Sequence, residues 1–293
     1  MMAPVRWPSE DIWEAVAPLL PGFTVEVLPE VDSTNSELMR RARAGCLEPV
    51  LLVTERQTAG RGRLGRQWLS GAVARGFSAE PSEGETVPLG GSAAHAVARV
   101  GAMSALTFSL GLSLAPADWS GLSLAVGLSV AQSLHPDIRL KWPNDLWWHD
   151  RKLAGILIET ANWGEASAIR YVVIGIGVNI RTPVVDGLST EPVGLEELLP
   201  DLSAPQALGR IAANLVQAVQ TFEARGFAPF QAKFNALDAL AQLPVTLSDG
   251  LQGVALGVDT SGALLVAAAQ GVQRVTSAEV SVRLQPGPSY ADL

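Results

Sequence analysis

Arg61, Arg63 and Arg66 lie within one glycine-rich segment of the sequence, GRGRLGR at positions 60–66. Guanidinium groups and the exposed amides of a glycine loop together form a receptor for carboxylate or phosphate groups. The segment also fits the pattern G-x-G-x-x-G, but the residues after it predict no helix, which a dinucleotide-binding turn requires at this point. The sequence therefore predicts an anion-binding loop; the alternative is a solvated basic turn.

Two of the three lysines in the chain, Lys141 and Lys152, lie in the segments KWPND at 141–145 and RKLAG at 151–155. Their point charges suit the neutralisation of an anionic substrate, although Lys152 could instead extend from the edge of a core strand.

A third segment, GIGVN at 175–179, ends a predicted strand. Its alternating glycines remove the side chains from one strand face, so a flat ligand can lie against the backbone there. The alternative is a strand bulge followed by a turn asparagine.

The sequence lacks the usual arrangements for nucleophilic catalysis. It contains no G-x-S-x-G segment, no Walker A loop and no plausible pair of cysteine and histidine. His95, His135 and His149 have neither metal-ligand spacing nor a nearby cysteine partner. An enzyme with this sequence would therefore act by holding charged substrates together and by neutralising phosphate groups.

The composition excludes several classes of protein. The chain has 293 residues and a formal net charge of −8, which argues against a surface that coats nucleic acid. One cysteine, Cys46, cannot form an internal disulfide, and the N-terminal residues show no secretory signal, so we expect a cytoplasmic protein. The apolar stretch at 100–117 carries serine, threonine and proline and is interpreted as a core strand, not a membrane span. About thirty residues precede the first motif, too few for a helix-turn-helix domain, so we expect no DNA binding.

The apolar pattern predicts strands and helices without a regular βαβ repeat, so the predicted fold class is α+β. A first helix begins at Ser9 and ends before Pro21, and Thr34 with Glu37 has the capping-box spacing for a second helix that ends at Gly45. Further helices are predicted at 122–134, about 205–225 and about 228–237, and strands at 24–28, 50–54, 104–112, 138–142, 152–159 and 169–180.

From Pro244 onward the chain contains short strand-like runs separated by turns such as Asp249-Gly250, which is typical of a small β-barrel. We therefore predict a first domain at 1–240 and a small C-terminal domain at 241–293. Within the first domain, the residues at 71–100 are rich in alanine, glycine, serine, glutamate and proline and show no sustained period. This segment is interpreted as a loop insertion.

Taken together, six segments closely resemble the motifs of the bacterial biotin–protein ligases in residue type, order and approximate spacing. The similarity spans about residues 31–284 and is specific only in combination, because each segment alone is a weak signal. The segments are DSTN at 32–35, ERQTAGRGR at 55–63, RQW at 66–68, KWPND at 141–145, KLAGIL at 152–157 and GIGVN at 175–179.

The resemblance implies a class II synthetase-like catalytic domain of the biotin/lipoate ligase type, with a mixed sheet and helices, followed by a small SH3-like barrel. It implies a monofunctional enzyme without a DNA-binding domain that works in two steps. Biotin and ATP, with Mg²⁺ as the metal of the nucleotide, form biotinyl-5′-adenylate and pyrophosphate. One lysine on a biotin carboxyl carrier domain, of acetyl-CoA carboxylase or a related carboxylase, then takes the biotin. The metal ligands and the oligomeric state, a homodimer included, stay open.

The resemblance also implies a role for each matching residue. Lys152 would lie where the mixed anhydride forms, and Asp145 is a candidate base or orienting group for the acceptor amine. Arg61 and Arg63 would bind the biotin carboxylate and the α-phosphate, and Arg66 the other phosphates. The other biotin-binding residues would be Ser33, Thr34, Asn35, Gln57, Gly60, Gly62, Gly155 and Gly175. The adenylate moiety would contact Trp68 and Asn179, and Asn144 would help to organise phosphates, magnesium or the incoming amine.

Two other functions stay open at this point. A lipoate–protein ligase would share the fold and the adenylate chemistry. Ser33, Thr34, Asn35 and Gln57 offer more hydrogen bonds than a dithiolane ring could use, so biotin is favoured. A non-catalytic sensor of biotin or its adenylate would bind without transferring anything. The chain departs from the family pattern at 101–106, where GAMSAL replaces a passage like FGANLY, so the resemblance assigns no contact to that strand.

Overall fold

The computed structural model describes residues 5–68, 103–161, 169–185, 187–188, 190–276 and 282–284. The predicted insertion at 71–100 lies outside these residues. The helices are α1 (Ser9–Val16), α2 (Thr34–Arg43), α3 (Leu122–Leu134), α4 (Ala204–Arg225) and α5 (Gln231–Leu237). The strands are β1 (Thr24–Val31), β2 (Val50–Gln57), β3 (Ala105–Leu114), β4 (Arg139–Lys141), β5 (Asp145–Trp148), β6 (Arg151–Ala161), β7 (Arg170–Asn179), β8 (Pro244–Leu247), β9 (Gln252–Val258), β10 (Leu264–Ala268), β11 (Gly271–Val275) and β12 (Val282–Leu284). None of the described helices has both the length and the apolar character that crossing a membrane requires.

Seven strands form one mixed sheet in the order β1-β2-β3-β7-β6-β5-β4. β1 and β2 are parallel and are connected by α2, whereas every other neighbouring pair is antiparallel. The sheet therefore contains one βαβ connection among antiparallel pairs, which confirms the predicted α+β class. The sequence does not predict β5, because Pro143 interrupts the apolar pattern two residues before that strand begins.

The larger part of the core lies on one face of this sheet. Apolar side chains of α1, α3 and α4 cover that face, and alternate residues of the central strands, such as Phe108 and Ile174, point into it. α4 begins with a capping box in which Ser203 and Gln206 each accept a hydrogen bond from the other's backbone amide. These layers fix the central strands in place.

The opposite face of the sheet is covered only in part. Leu38 and Met39 of α2 pack there against Tyr171 and Val173 of β7. The remaining area of this face, over parts of β3, β6 and β7, is left without a helix and lines a pocket.

α2 begins one residue earlier than the predicted capping box of Thr34 with Glu37 requires. Ser33 is the N-cap residue, and its side-chain oxygen accepts a hydrogen bond from the backbone N–H of Ser36 at 3.4 Å. The predicted capping box of Thr34 with Glu37 is therefore wrong, because the Glu37 carboxylate pairs with two arginines of the same helix. As a consequence, Thr34 and Asn35 are the first two helical residues, and both are 3% exposed in the wall of the pocket.

The C-terminal strands form a second sheet, which is antiparallel throughout, in the order β11-β10-β9-β8-β12. Its apolar residues, among them Val245 and Leu264, belong to the same core cluster as the large sheet. The buried indole N–H of Trp142 donates to the Gly262 carbonyl at 3.1 Å and ties the two sheets together. The domain boundary near residue 240 stays a prediction.

Candidate active site

The pocket over the open part of the large sheet brings together the separate motifs of the sequence. Its floor is formed by β3, β6 and β7, and its walls by the start of α2, residues 61–68, the β4–β5 turn and strand β12. Every site residue predicted from the sequence lines it except Gly60, whose carbonyl accepts the backbone N–H of Trp68 at 2.9 Å. The predicted residues that line it are Ser33, Thr34, Asn35, Gln57, Arg61, Gly62, Arg63, Arg66, Trp68, Asn144, Asp145, Lys152, Gly155, Gly175 and Asn179.

A neutral polar network forms one end of the pocket. The backbone N–H and the hydroxyl of Thr34 donate to Oε1 of Gln57 at 2.8 and 3.2 Å. The hydroxyl of Ser109 on β3 is fully buried and lies 2.7 Å from the Thr34 hydroxyl and 2.6 Å from Oδ1 of Asn35. A satisfied buried network of this kind is rigid. It holds polar groups in fixed positions for a neutral ligand.

The amide group of Asn35 is engaged by the protein. Its Nδ2 donates to the Leu157 carbonyl at 3.1 Å and to Oε2 of Glu159 at 3.0 Å. These contacts connect the first turn of α2 to β6. A direct hydrogen bond between Asn35 and biotin stays a prediction.

The arginines of the loop differ in their surroundings. Arg61 is half-exposed and its guanidinium pairs with Glu159, with Nη2 2.9 Å from Oε1. Arg63 is partly buried, and its Nη1 donates to Oδ1 of Asn144 at 3.4 Å. Burial lowers the pKa of Arg63, because removal from water disfavours its charge. Arg66 is exposed, and its Nε donates to the Arg63 carbonyl at 3.2 Å, which stabilises the loop.

A lysine–aspartate pair faces this loop. The ammonium of Lys152 lies 2.7 Å from Oδ1 of Asp145, and both side chains are largely buried. A second lysine, Lys141, lies beside them with Nζ 4.6 Å from the centre of the Trp147 ring. Burial lowers the pKa of Lys141, and the neighbouring charge of Asp145 opposes this effect. The end of the pocket opposite the neutral network is therefore rich in positive charge.

The glycines of β7 make room for side chains of the protein itself. A Cβ atom on Gly177 would overlap the indole of Trp68, and one on Gly175 would overlap the amide of Asn35. The flat group on this glycine face is thus the Trp68 indole. Its Nε1 is buried and has no hydrogen-bond partner among the residues that the structure describes. Binding of a nucleotide by Trp68 stays a prediction.

The end of β7 is held by Asn179. Its Nδ2 donates to the carbonyls of Lys152 and Val193, both at 3.2 Å. The alternative of a strand bulge followed by a turn asparagine is wrong, since Asn179 is the last residue of β7, pairs in register with Ala105 and is 5% exposed. Its predicted contact with the adenylate is untested.

The sequence assigned no role to four residues in or next to the pocket: Thr107 and Arg283 line it, and Ser109 and Glu159 contact Asn35, which lines it. Thr107 and Ser109 are polar residues at alternate positions of the apolar strand β3, and this alternation places both on the pocket face. On β6, Glu159 follows Gly155 and Leu157 at the two-residue period of a strand, which places all three on the same face of the sheet. Arg283 lines the pocket from β12, and no local pattern marks it because only the docking of the second sheet brings it there.

Two family models match the chain, one over the strands of the large sheet and the other over the C-terminal sheet. Residues 28–179 match the model described as biotin/lipoate A/B protein ligase family, and residues 244–283 match the biotin protein ligase C-terminal domain. The first match alone covers just over half of the chain. The chain belongs to the biotin/lipoate A/B protein ligase family.

Within this ligase family, the bifunctional ligase/repressor BirA of Escherichia coli is 33% identical over 275 residues, which cover 90% of this chain and 75% of the relative. The biotin–[acetyl-CoA-carboxylase] ligase of Paracoccus denitrificans is 31% identical over 273 residues, which cover 87% and 98%. Among solved structures, the biotin protein ligase from Aquifex aeolicus in complex with biotin and ATP matches with a TM-score of 0.68 and 25% identity, over 89% of this chain and 99% of that chain. The family and fold expected from the sequence are confirmed, and the roles of individual residues stay predictions.

Proposed function

We propose that this protein is a biotin–protein ligase. The carboxylate of biotin attacks the α-phosphorus of ATP and pyrophosphate leaves; the ε-amine of a carrier lysine then attacks the acyl carbon and AMP leaves. The observation that carries the proposal is one pocket that joins the neutral network of Thr34 and Gln57 to the cationic side chains of Arg63 and Lys152. A ligand with a neutral polar ring at one end and a carboxylate at the other fits this arrangement.

The neutral end of the pocket favours biotin over lipoate. The ureido ring of biotin presents N–H donors and a carbonyl acceptor, whereas the dithiolane ring of lipoate presents neither. The pocket offers the polar groups of Ser33, Thr34 and Gln57 in this region. A dithiolane would cover these polar groups without offering them a hydrogen bond, whereas the ureido ring could hydrogen-bond to them.

The cationic end suits the adenylation step. A carboxylate must approach a triphosphate, so repulsion between like charges forms much of the barrier. Arg63 and Lys152 would stabilise the charge that develops as the anhydride forms, and Arg66 would hold the phosphates. Because Arg63 and Lys152 are partly buried, their charges act more strongly than fully exposed charges would.

Asp145 would serve the transfer step. A free lysine is mostly protonated at pH 7, and the acceptor amine must be neutral to attack. Asp145 lines the pocket beside Lys152, where its carboxylate could orient the amine and accept its proton. The acceptor is proposed to be a biotin carboxyl carrier domain, in line with the name of the Paracoccus relative.

ATP would enter the pocket with Mg²⁺. The residues that the structure describes contain no group of three or more histidine, cysteine, aspartate or glutamate side chains that could hold a metal ion. The phosphates of the nucleotide and water would supply most of its ligands, with Asn144 and Asp145 as the nearby oxygen donors of the protein. Trp68, Asn179 and Arg283 would bind the rest of the nucleotide.

The ATP requirement and the single cysteine favour a cytoplasmic location.

The decisive experiment is incubation of the protein with biotin, ATP, Mg²⁺ and a biotin carboxyl carrier domain, followed by intact mass spectrometry of the carrier. We expect the gain of one biotinyl group, and no gain when lipoate replaces biotin. Modification by lipoate alone would indicate a lipoate ligase. Tight binding of biotin without adenylate formation or transfer would indicate a sensor.

A further inference from the structure

The pocket face of β6 ends in a carboxylate that the proposed chemistry does not use. Gly155 and Leu157 line the pocket, and Glu159 follows them at the same two-residue period of the strand. The Glu159 side chain is 21% exposed and lies between the first turn of α2 and the arginine-containing loop. It is therefore placed to connect two walls of the pocket.

Both carboxylate oxygens of Glu159 are engaged. Oε1 lies 2.9 Å from Nη2 of Arg61, and Oε2 accepts from Nη1 of the same guanidinium at 3.4 Å and from Nδ2 of Asn35 at 3.0 Å. Nη1 of Arg61 also donates to the Ser36 hydroxyl at 3.3 Å. One glutamate on β6 thus holds an asparagine of α2 and an arginine of the loop.

We propose that Glu159 is a positioning residue for biotin binding, and that Arg61 acts chiefly as its partner in a clamp that closes the loop against α2. The inference rests on the proposed function. The positive charge of Arg61 is compensated by the Glu159 carboxylate, and the same carboxylate holds Asn35 of α2. The clamp therefore shapes the pocket by joining the loop, β6 and α2.

The substitution Glu159→Gln separates the two contacts. Glutamine keeps an oxygen that can accept from Asn35, but it removes the charge that holds Arg61. We expect the KM for biotin and the dissociation constant of biotin to rise about three- to tenfold, in the range typical of partly exposed charged pairs. The kcat of biotin-dependent pyrophosphate exchange should change less than about twofold, because uniform binding is lost and no transition-state contact is removed.

Four proteins test the clamp: wild type, Glu159→Gln, Arg61→Gln and the double variant. Arg61 is half-exposed, so its substitution leaves the core intact even if Glu159→Gln were to unfold the protein. Glu30→Gln is the matched control, because it breaks a 2.6 Å pair with Arg56 at exposed positions outside the pocket. Calorimetric titration with biotin and pyrophosphate exchange are measured for each protein, with thermal melting as the check of folding.

The clamp predicts that the effects of the two single substitutions on biotin affinity are not additive, so that the double variant resembles either single one. Glu30→Gln should match the wild type. Unchanged biotin affinity in Glu159→Gln, a loss confined to kcat, or fully additive effects would each overturn the proposal. Failure of the wild type itself to bind biotin would overturn the proposed function, and the two failures are therefore distinguishable.

Discussion

The ammonium of Lys152 lies 2.7 Å from the carboxylate of Asp145, and a shift of register between their strands makes this possible. β5 and β6 pair Leu146 with Ala154 but then pair Trp147 with Lys152, so one residue of β6 is extra at this point. A bulge of this kind redirects side chains. It places Lys152 opposite Trp147, on the strand face that Asp145 shares. The local irregularity therefore brings the lysine into the pocket.

Replacement of Lys152 by alanine should reduce adenylate formation about 10²- to 10³-fold, which is the usual effect of removing one group that stabilises transition-state charge. Biotin-dependent exchange of labelled pyrophosphate into ATP measures the loss. Lys233→Ala is the matched control, because Lys233 is exposed on α5 outside the pocket. If Lys152→Ala retained more than about a tenth of the wild-type rate, the assigned role of Lys152 would be wrong.

Gly177→Ala should weaken ATP binding, because a methyl group at this position overlaps the Trp68 indole and displaces it from β7. Overpacking of this kind costs about 1–3 kcal/mol, so the KM for ATP should rise roughly tenfold or more. Gly209→Ala in α4 adds a methyl group at ordinary contact distance from Pro8 and serves as the control. An unchanged KM for ATP in Gly177→Ala would show that the position of Trp68 is unimportant for the nucleotide.

Arg283→Ala should lower the affinity for ATP about tenfold and leave the affinity for biotin unchanged, since Arg283 lines the pocket from the C-terminal sheet. The difference in ATP affinity between wild type and Arg283→Ala should be smaller at high salt, because salt screens exposed charges. Arg274→Ala, at an exposed arginine of the same sheet that pairs with Asp259, controls for any general effect on that sheet. Equal losses of affinity for biotin and for ATP would contradict the proposal that Arg283 belongs to the nucleotide-binding part of the pocket.

Stability should depend on pH through Asp238, which is 9% exposed and accepts one hydrogen bond, from the Leu240 backbone. Burial raises the pKa of Asp238 from 3.8 to about 6. Because the folded state binds the proton more tightly, the stability that this group contributes is present below about pH 4 and is lost as the pH rises through 6.

The comparison of Asp238→Asn with wild type isolates this effect. The difference in free energy of unfolding should move in favour of the variant by up to roughly 3 kcal/mol between pH 4 and pH 7. Denaturant unfolding across this range measures it, and Asp201→Asn, at an exposed aspartate, controls for the loss of one charge. A difference that is constant with pH would refute the expected titration.

The sequence predicts well what depends on neighbouring residues. The helix at 122–134, the long strands β6 and β7 and the polar segments that meet in the pocket all follow from local pattern. The N-cap of α2 is Ser33 and not the predicted Thr34. The reason is that Oε1 of Gln57, at the end of β2, accepts a hydrogen bond from the Thr34 backbone N–H. That competition depends on the pairing of β1 with β2, which no local rule gives.

Other features of the site depend on contacts between distant parts of the chain. Glu159 and Arg61 are 98 positions apart, and only the packing of the loop against β6 brings them together. The extra residue that redirects Lys152 exists only in the paired strands. Arg283 reaches the pocket only because the indole of Trp142 and a shared core hold the second sheet in place.

The floor of the pocket belongs to interior strands, since β3, β6 and β7 each have a neighbour on both sides in the large sheet. The backbone amides of such strands exchange with solvent deuterium only when the whole domain opens, whereas those of a loop such as 60–68 exchange through local fluctuations. We therefore expect the sheet beneath the pocket to be more rigid than the loop that covers it. Any rearrangement that accompanies turnover is then expected in this loop and not in the sheet.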